Sequence, residues 1–556
     1  MKNHTRFNRF QRLSTQATIG ISFLLALITL PLYAVKVAEK TDYTDFSVYY
    51  RAALRMKLGD WSQIYSLRDG ASPFRYSPIF LPFFRPFAEL GLPAAQLAWY
   101  FLQFSCFGLG FYFIYLTLST FQAPKKTLKT KSPSLLITCI SFLFVLRFCL
   151  DTFTIGQVSS LMFLGFTVGL YAWVVRLPIL FSIGLLIPTL FKIGPGFLFG
   201  VFASSRFKEK QKGILATLSV IGVCGLTSSL FLGSWSLIRD LWRSWTEIVL
   251  KDSQYYDASH YGSQSLKSFL LRSMNSGWIT PQTAQSIYLF LAFFVCGGIL
   301  IFWLSRRPRS YFGRGLFYST GIFAYLWLMP ETFKYSLTPL AIPVALILAG
   351  FARNSRRGIA PGIRQTHAMS LIALGFGILT LSLAGKDIIG DTLFFGFQIH
   401  SLPFLATILL AIEIFRLAWT ESVPATGLAA FVRSALEAIS PMRKQLGPWA
   451  SLPLPLIHRE LRASLLLPIP LNASLLLDKD LTSKIITETY DLLKSQEPKG
   501  SQSSFEIILI VYGDRISLLH PTYQTLLLAA QGKKEIRILQ YEEHNGRASA
   551  LRAGFL

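Results

Sequence analysis

The sequence predicts an all-α polytopic membrane protein of about 10 to 13 transmembrane helices, re-entrant segments included, followed by a small, truncated α/β domain. Three observations predict it. Of 556 residues, 52% are hydrophobic and only 15% charged, against roughly 25% charged in soluble domains, and mean hydropathy is +0.45. Apolar runs near the ~20 residues that cross ~30 Å of hydrocarbon recur as far as position 418. Between them lie short clusters of Lys and Arg, the mark of membrane topology.

The first apolar run, Ala17 to Val35, is long enough to span, and no small-residue cleavage site clearly follows it, so it stays as the first transmembrane helix. Further runs occupy 98–119, 134–150, 158–175, 213–232, 284–304, 315–329, 337–351, 366–384 and 401–418. Pro188, Lys192, Gly194 and Pro195 interrupt 178–203, which reads as a broken hairpin starting and ending on one side. Tyr76 to Leu90, broken by Pro82, Arg85 and Pro86, reads as interfacial or re-entrant rather than crossing.

Lys and Arg are retained on the cytoplasmic side. Segments 1–12, 124–131, 206–212, 305–314 and 353–364 each hold four basic residues, with Glu209 the one acid among them. Loops 37–75 and 233–283 are balanced instead, with six basic against five acidic and five against four. These loops therefore face outward, and both termini of a plasma-membrane protein lie in the cytoplasm. The basic excess of 54 against 29 is spent on topology, which sets nucleic-acid binding aside. Cys106, Cys139, Cys149, Cys224 and Cys296 sit in apolar stretches without metal-ligand spacing and read as reduced packing residues.

After residues 1–420 comes a basic linker at 421–462, punctuated by Pro424, Pro441, Pro448, Pro453 and Pro455. Residues 463–556 then alternate. Leu465 to Leu471, Phe505 to Val511 and Glu535 to Tyr541 read as buried strands, with helices near 480–494, 517–531 and 545–555.

The first outer loop carries Asp42, Asp45, Tyr49, Tyr50, Arg51, Arg55, Arg75 and Tyr76. Arginines grip phosphate through bidentate hydrogen bonds, and a carboxylate can serve as a general base. A solvated, charge-balanced loop has the same composition, so the order of residues decides. Asp45-Phe46-Ser47-Val48-Tyr49-Tyr50-Arg51-Ala52-Ala53, then Leu58-Gly59, Ile64-Tyr65 and Phe74-Arg75-Tyr76-Ser77-Pro78, resemble the first outer loop of glycosyltransferase family 87. These are the GT-C-type, polyprenol-phosphate-mannose-dependent mannosyltransferases and relatives, also called the DUF2029 family. Ile155-Gly156-Gln157-Val158, Lys192, and Gln264-Ser265-Leu266-Lys267-Ser268-Phe269-Leu270-Leu271-Arg272 continue the resemblance, which covers roughly 15–420.

That resemblance implies a GT-C-like integral membrane hexosyltransferase. It would move a sugar from a polyprenyl-phosphate donor to a glycan or glycolipid hydroxyl on the outer face, with inversion, and would require no metal or other cofactor. Asp45 takes the role of catalytic base, and Arg75, Lys192, Gln157 and Lys334 are the donor-phosphate candidates. Asp42, Tyr49, Tyr76, Gln264 and Lys267 are cavity-lining candidates. Lys192 also stands out alone, because an ammonium in an apolar run costs ~2.5 kcal/mol or more without a partner or cavity; snorkelling to an interface is the alternative. For Gln157 the alternative is helix capping. The family's late tryptophan and paired histidines are replaced here by Met329-Pro330-Glu331-Thr332-Phe333-Lys334-Tyr335, and its asparagines near Gln157 and Gln264 by Ser159 and Ser263.

The tail resembles the start of GT-A-type family 2 glycosyltransferases through Leu467-Pro468-Ile469-Pro470-Leu471-Asn472, Phe505 to Val511, and Asn545-Gly546-Arg547-Ala548-Ser549-Ala550-Leu551-Arg552-Ala553-Gly554-Phe555. Val511-Tyr512-Gly513-Asp514 replaces that family's acidic pair, and no metal-binding D-x-D follows before Leu556. The tail is therefore expected to be inactive alone, as a regulatory module or a remnant. Two readings compete for the whole chain. Many helices, broken segments and an intramembrane lysine would also serve a lipid or solute transporter, although no inverted repeat is seen. The missing histidines and short tail also fit an inactive membrane scaffold.

Overall fold

The computed structural model describes residues 2–40, 44–65, 74–121, 132–205, 207–255, 262–275, 280–329, 332–355, 364–424, 463–470, 505–513 and 536–542. The chain forms two units, Met1–Ile439 and Ser440–Leu556. The first is helical. Its helices are α1 (Lys2–Ala38), α2 (Thr44–Leu58), α3 (Leu81–Phe84), α4 (Leu92–Thr120), α5 (Ser132–Ile155), α6 (Ser159–Val175), α7 (Pro178–Phe191) and α8 (Phe207–Leu232). There follow α9 (Trp235–Tyr255), α10 (Leu266–Asn275), α11 (Pro281–Ser305), α12 (Tyr311–Leu328), α13 (Ala341–Ser355), α14 (Arg364–Gly377), α15 (Lys386–Ile399) and α16 (Leu402–Thr420).

Among the described residues seven helical segments are long and apolar enough to cross a membrane: Gln16–Ala38, Leu92–Thr120, Pro133–Ile155, Gln211–Leu232, Gln282–Ser305, Lys334–Arg353 and Leu402–Thr420. The protein is thus a multi-pass membrane protein. The apolar helices Ser159–Val175, Pro178–Phe191, Gly194–Ser204, Ala368–Ser382 and Ile388–Ile399 are shorter. They pack among the long ones.

The break at Pro188–Pro195 produces the hairpin that the prolines imply. Helix α7 stops at Lys192, whose backbone is extended (φ −142°, ψ 125°), and Gly194–Ser204 returns as a 3-10 helix. Both arms meet at their far ends, where Phe181 lies 4.8 Å from Phe202 and 6.0 Å from Phe199 between ring centroids. Helix α7 lies directly on α6 because three glycines let the backbones touch. A Cβ at Gly165 would stand 2.6 Å from the Gly184 carbonyl oxygen, and one at Gly184 would stand 2.7 Å from the Gly169 nitrogen.

Tyr76 to Leu90 does not cross. It makes three short turns, Pro78–Phe80, α3 and Arg85–Glu89, and its end stays beside α2. The Tyr50 hydroxyl donates to the Leu90 carbonyl at 3.0 Å, and Lys57 pairs with Glu89 at 2.7 Å.

Helix α6 separates two poles by about 25 Å, the rise of its 17 residues. At the pole beyond Val175, Glu209 receives Arg314 at 2.7 Å and Arg176 at 3.0 Å. Arg353 meets Glu421 at 3.0 Å there, and strand β1 (Arg306–Pro308) pairs antiparallel with β2 (Ser422–Pro424). The described parts of three basic segments therefore gather at one pole, opposite the outer-loop motifs.

In the second unit β3 (Ala463–Pro470), β4 (Phe505–Gly513) and β5 (Ile536–Glu542) form a parallel sheet in sequence order. These are the three expected strands. Parallel neighbours need crossovers of a dozen residues or more, and 471–504 and 514–535 supply the length; the expected helices lie outside the described residues.

Candidate functional site

Helix α2 meets the start of α4 at Trp99 and the turn after α5 at Gln157. Phe46, Tyr49, Ala52, Ala53 and Met56 are its buried stripe, at the i, i+3, i+7 spacing of one helix face. Phe46 stacks on Trp99 at 5.4 Å and Tyr49 on Phe84 at 5.0 Å. That anchoring fixes Asp45, in the first turn, against the end of α5.

Helix α5 ends where Gly156 adopts φ +73°, a left-handed conformation that costs other residues a Cβ clash. The turn is held from α4, by Trp99 Nε1 donating to the Gly156 carbonyl at 2.8 Å and Gln103 Nε2 to the Gln157 carbonyl at 2.6 Å. It aims the Gln157 side chain at α2. Gln157 Oε1 accepts from the Tyr49 hydroxyl at 2.7 Å, the Tyr76 hydroxyl at 2.8 Å and the Val158 amide at 2.8 Å. An N–H pointing at this atom fixes which end of the amide is oxygen. The NH2 end therefore faces Asp45, donating to Oδ2 at 2.6 Å.

Burial raises the Asp45 carboxyl from 3.8 to about 6, and the nearby cations Lys192 and Arg75 hold it from rising further. At neutral pH it is mostly ionised. Burial pushes the Tyr49 and Tyr76 hydroxyls above the ordinary tyrosine range, and the Asp45 charge adds to the push; both remain neutral donors. Lys192 sits at the tip of the hairpin, with Nζ donating to Ser336 Oγ at 3.3 Å and lying 5.8 Å from the Tyr335 ring centre. Arg75 is set by its own carbonyl, which accepts from Trp245 Nε1 of α9 at 2.9 Å. The arrangement is a poised carboxylate facing two cations, a geometry for accepting a proton beside an anion.

Of the residues singled out from sequence, Asp45, Tyr49, Arg75, Tyr76, Gln157 and Lys192 come together here. Gln157 spends both ends of its amide on protein partners. Lys334 lies with Nζ 4.3 Å from the Phe394 ring centre. Gln264 belongs to a second polar cluster, bonding Gln398 Oε1 at 3.0 Å. Lys267 is half-buried, with no hydrogen bond or ion pair among the described residues. Asp42 lies outside the described residues.

Sequence reasoning missed Trp99, Gln103, Trp245 and Ser336. Gln103 carries the one usable signal, an amide inside an apolar run. It missed a role for Arg272 as well, whose guanidinium donates to the Ser263 carbonyl at 2.7 Å and to Ser401 Oγ at 2.7 Å. Burial lowers that group to about 10.

Residues 74–330 match the family model of glycosyltransferase family 87. Arg75, Tyr76, Gln157, Lys192, Gln264 and Lys267 fall inside the match, whereas Asp45 and Tyr49 precede it. No curated protein matches the chain. Over that stretch, a little under half of the chain, the first unit is similar to glycosyltransferase family 87.

Proposed function

We propose that this membrane glycosyltransferase of family 87 moves a sugar from a polyprenyl-phosphate donor to an acceptor hydroxyl, with Asp45 as general base. The observation that carries the reading is the partly buried Asp45 carboxyl, held at 2.6 Å by Gln157 and close enough to Lys192 and Arg75 to feel both charges. A base for a hydroxyl needs a titration point near working pH, and a departing lipid phosphate needs fixed positive charge. Asp45 supplies the first, and Lys192 and Arg75 beside it supply the second.

In the reaction, Asp45 takes the acceptor proton as the acceptor oxygen attacks the anomeric carbon opposite the phosphate. The bond to the phosphate oxygen breaks with inversion, and Lys192 and Arg75 receive the charge. Gln157 is assigned to positioning rather than to phosphate, since Tyr49, Tyr76 and Val158 occupy its carbonyl oxygen. The basic clusters at the opposite pole support reading this site as facing the outside of the plasma membrane, with the amino terminus in the cytoplasm.

Asp45→Asn tests the reading. Transfer of radiolabelled sugar from a polyprenyl phosphate should fall about 10²–10⁴-fold, the worth of a general base, with membrane insertion unchanged. Wild-type activity in that variant removes the assignment.

A further inference from the structure

The pole opposite Asp45 holds a recess of its own, where the hairpin ends and α8 begins. It has a volume of about 60 Å³ and is lined by Arg176, Ser205, Glu209, Lys212 and Arg314, with Phe181 and Phe202 as an apolar wall. That is several times the ~15 Å³ that admits one water and far below the ~300 Å³ or more of pockets for larger organic ligands. The space suits a group the size of a phosphate.

Three cations against one carboxylate leave the recess with two positive charges in excess. Glu209 draws the guanidiniums together, taking Arg314 at 2.7 Å and Arg176 at 3.0 Å. Lys212, exposed and one turn further along α8, has no hydrogen bond or ion pair among the described residues. Retention of Lys and Arg on one side of a membrane accounts for positive charge at this pole, but not for its placement. Arg314 is buried, with its guanidinium 4.7 Å from the Trp173 ring centre and donating to the Trp173 carbonyl at 2.9 Å.

Ser205 adds an observation independent of charge. It is 4% exposed and lines the recess, and its Oγ is buried without a hydrogen-bond partner among the described residues, whereas buried hydroxyls are as a rule paired. Helix α8 starts two residues on, at Phe207, and the open amides of a helix start favour an anion. Surplus cations, a helix start and an unpaired hydroxyl around one small recess match a ligand with negative charge and several acceptor oxygens. We propose that this recess binds a phosphate group, carried by an anionic phospholipid headgroup or as the free ion. The site lies at the pole opposite Asp45 and does not depend on the transferase reading.

The test needs no turnover. Full-length protein in phosphatidylcholine nanodiscs is titrated with inorganic phosphate, and in a second series the nanodiscs carry phosphatidic acid; thermal unfolding and native mass spectrometry report binding. Binding in the first series assigns the free ion, in the second the lipid headgroup, and either supports the site. Arg176→Gln and Lys212→Ala should each weaken binding about fivefold. Arg243→Gln, which removes the same charge from an exposed position of α9, should leave it unchanged. Ser205→Ala separates a ligand contact from a structural one. Without phosphate its unfolding temperature should match or exceed that of wild type, because a buried unpaired hydroxyl costs stability, yet its phosphate affinity should fall at least about tenfold. Binding in neither series, an equal loss in Arg243→Gln, or wild-type affinity in Ser205→Ala overturns the proposal.

Discussion

Replacing Gln157 with Glu changes one atom group in the contact with Asp45 while keeping the acceptor that Tyr49, Tyr76 and Val158 share. The NH2 that donates to Asp45 at 2.6 Å becomes a second carboxyl oxygen. Two unit charges at that separation repel by about 6 kcal/mol at an effective dielectric of about 20. Even a third of that, about 2 kcal/mol, is worth roughly 1.5 pH units. The pair therefore keeps one proton. Three donors already stabilise negative charge on residue 157, so the proton resides with Asp45. The sign follows: a base works only when unprotonated, so activity falls as pH drops through its titration point. In wild type the acidic limb of kcat/KM should be centred near 6, where Asp45 titrates. In Gln157→Glu it should move up by about 1.5 units or more, with the high-pH plateau approached late. Initial rates of sugar transfer between pH 5 and 9 measure this. An acidic limb unmoved from wild type refutes the claim that Gln157 controls the Asp45 proton.

Three further outcomes are expected. Asp45→Asn should stabilise the protein by up to about 3 kcal/mol at pH 8 and by much less at pH 4. The folded carboxyl, at about 6 instead of 3.8, favours the fold when protonated and loses that contribution as pH rises through 6; thermal unfolding at both pH values checks it. Gly184→Val should lower stability by about 1–3 kcal/mol and reduce transfer, because its Cβ would meet the Gly169 nitrogen at 2.7 Å and displace the hairpin that carries Lys192. Arg314→Met should lower the unfolding temperature, because the partly buried Glu209 carboxylate would lose its 2.7 Å partner and, among the described residues, keep Arg176 alone. The pH profile of transfer should not change, as Arg314 lies at the opposite pole.

Much of this was legible because the cost of burying a charge is a local property. Lys192 in an apolar run demands an explanation whatever surrounds it, and the prolines and glycines beside it name the hairpin that brings it inward. The three strands of the second unit are legible for a similar reason, as short apolar runs bounded by polar segments. What an apolar run does not say is whether lipid or protein covers it. Helix α12 is hydrophobic and its stretch Phe312–Leu326 is buried within the protein, so hydropathy alone counts it like a lipid-facing span. The site's geometry was hidden for another reason: the Asp45–Gln157 hydrogen bond joins positions 112 residues apart, and Gln264 to Gln398 joins positions 134 apart. Lys334 shows the limit most plainly. Its charge invites a phosphate role, yet its Nζ rests over Phe394, a partner no spacing announces. A glutamine is the kind of residue for which sequence fails most, because its two ends do opposite things. Which end meets the carboxylate is decided by the Val158 amide behind it, and so by the left-handed turn at Gly156.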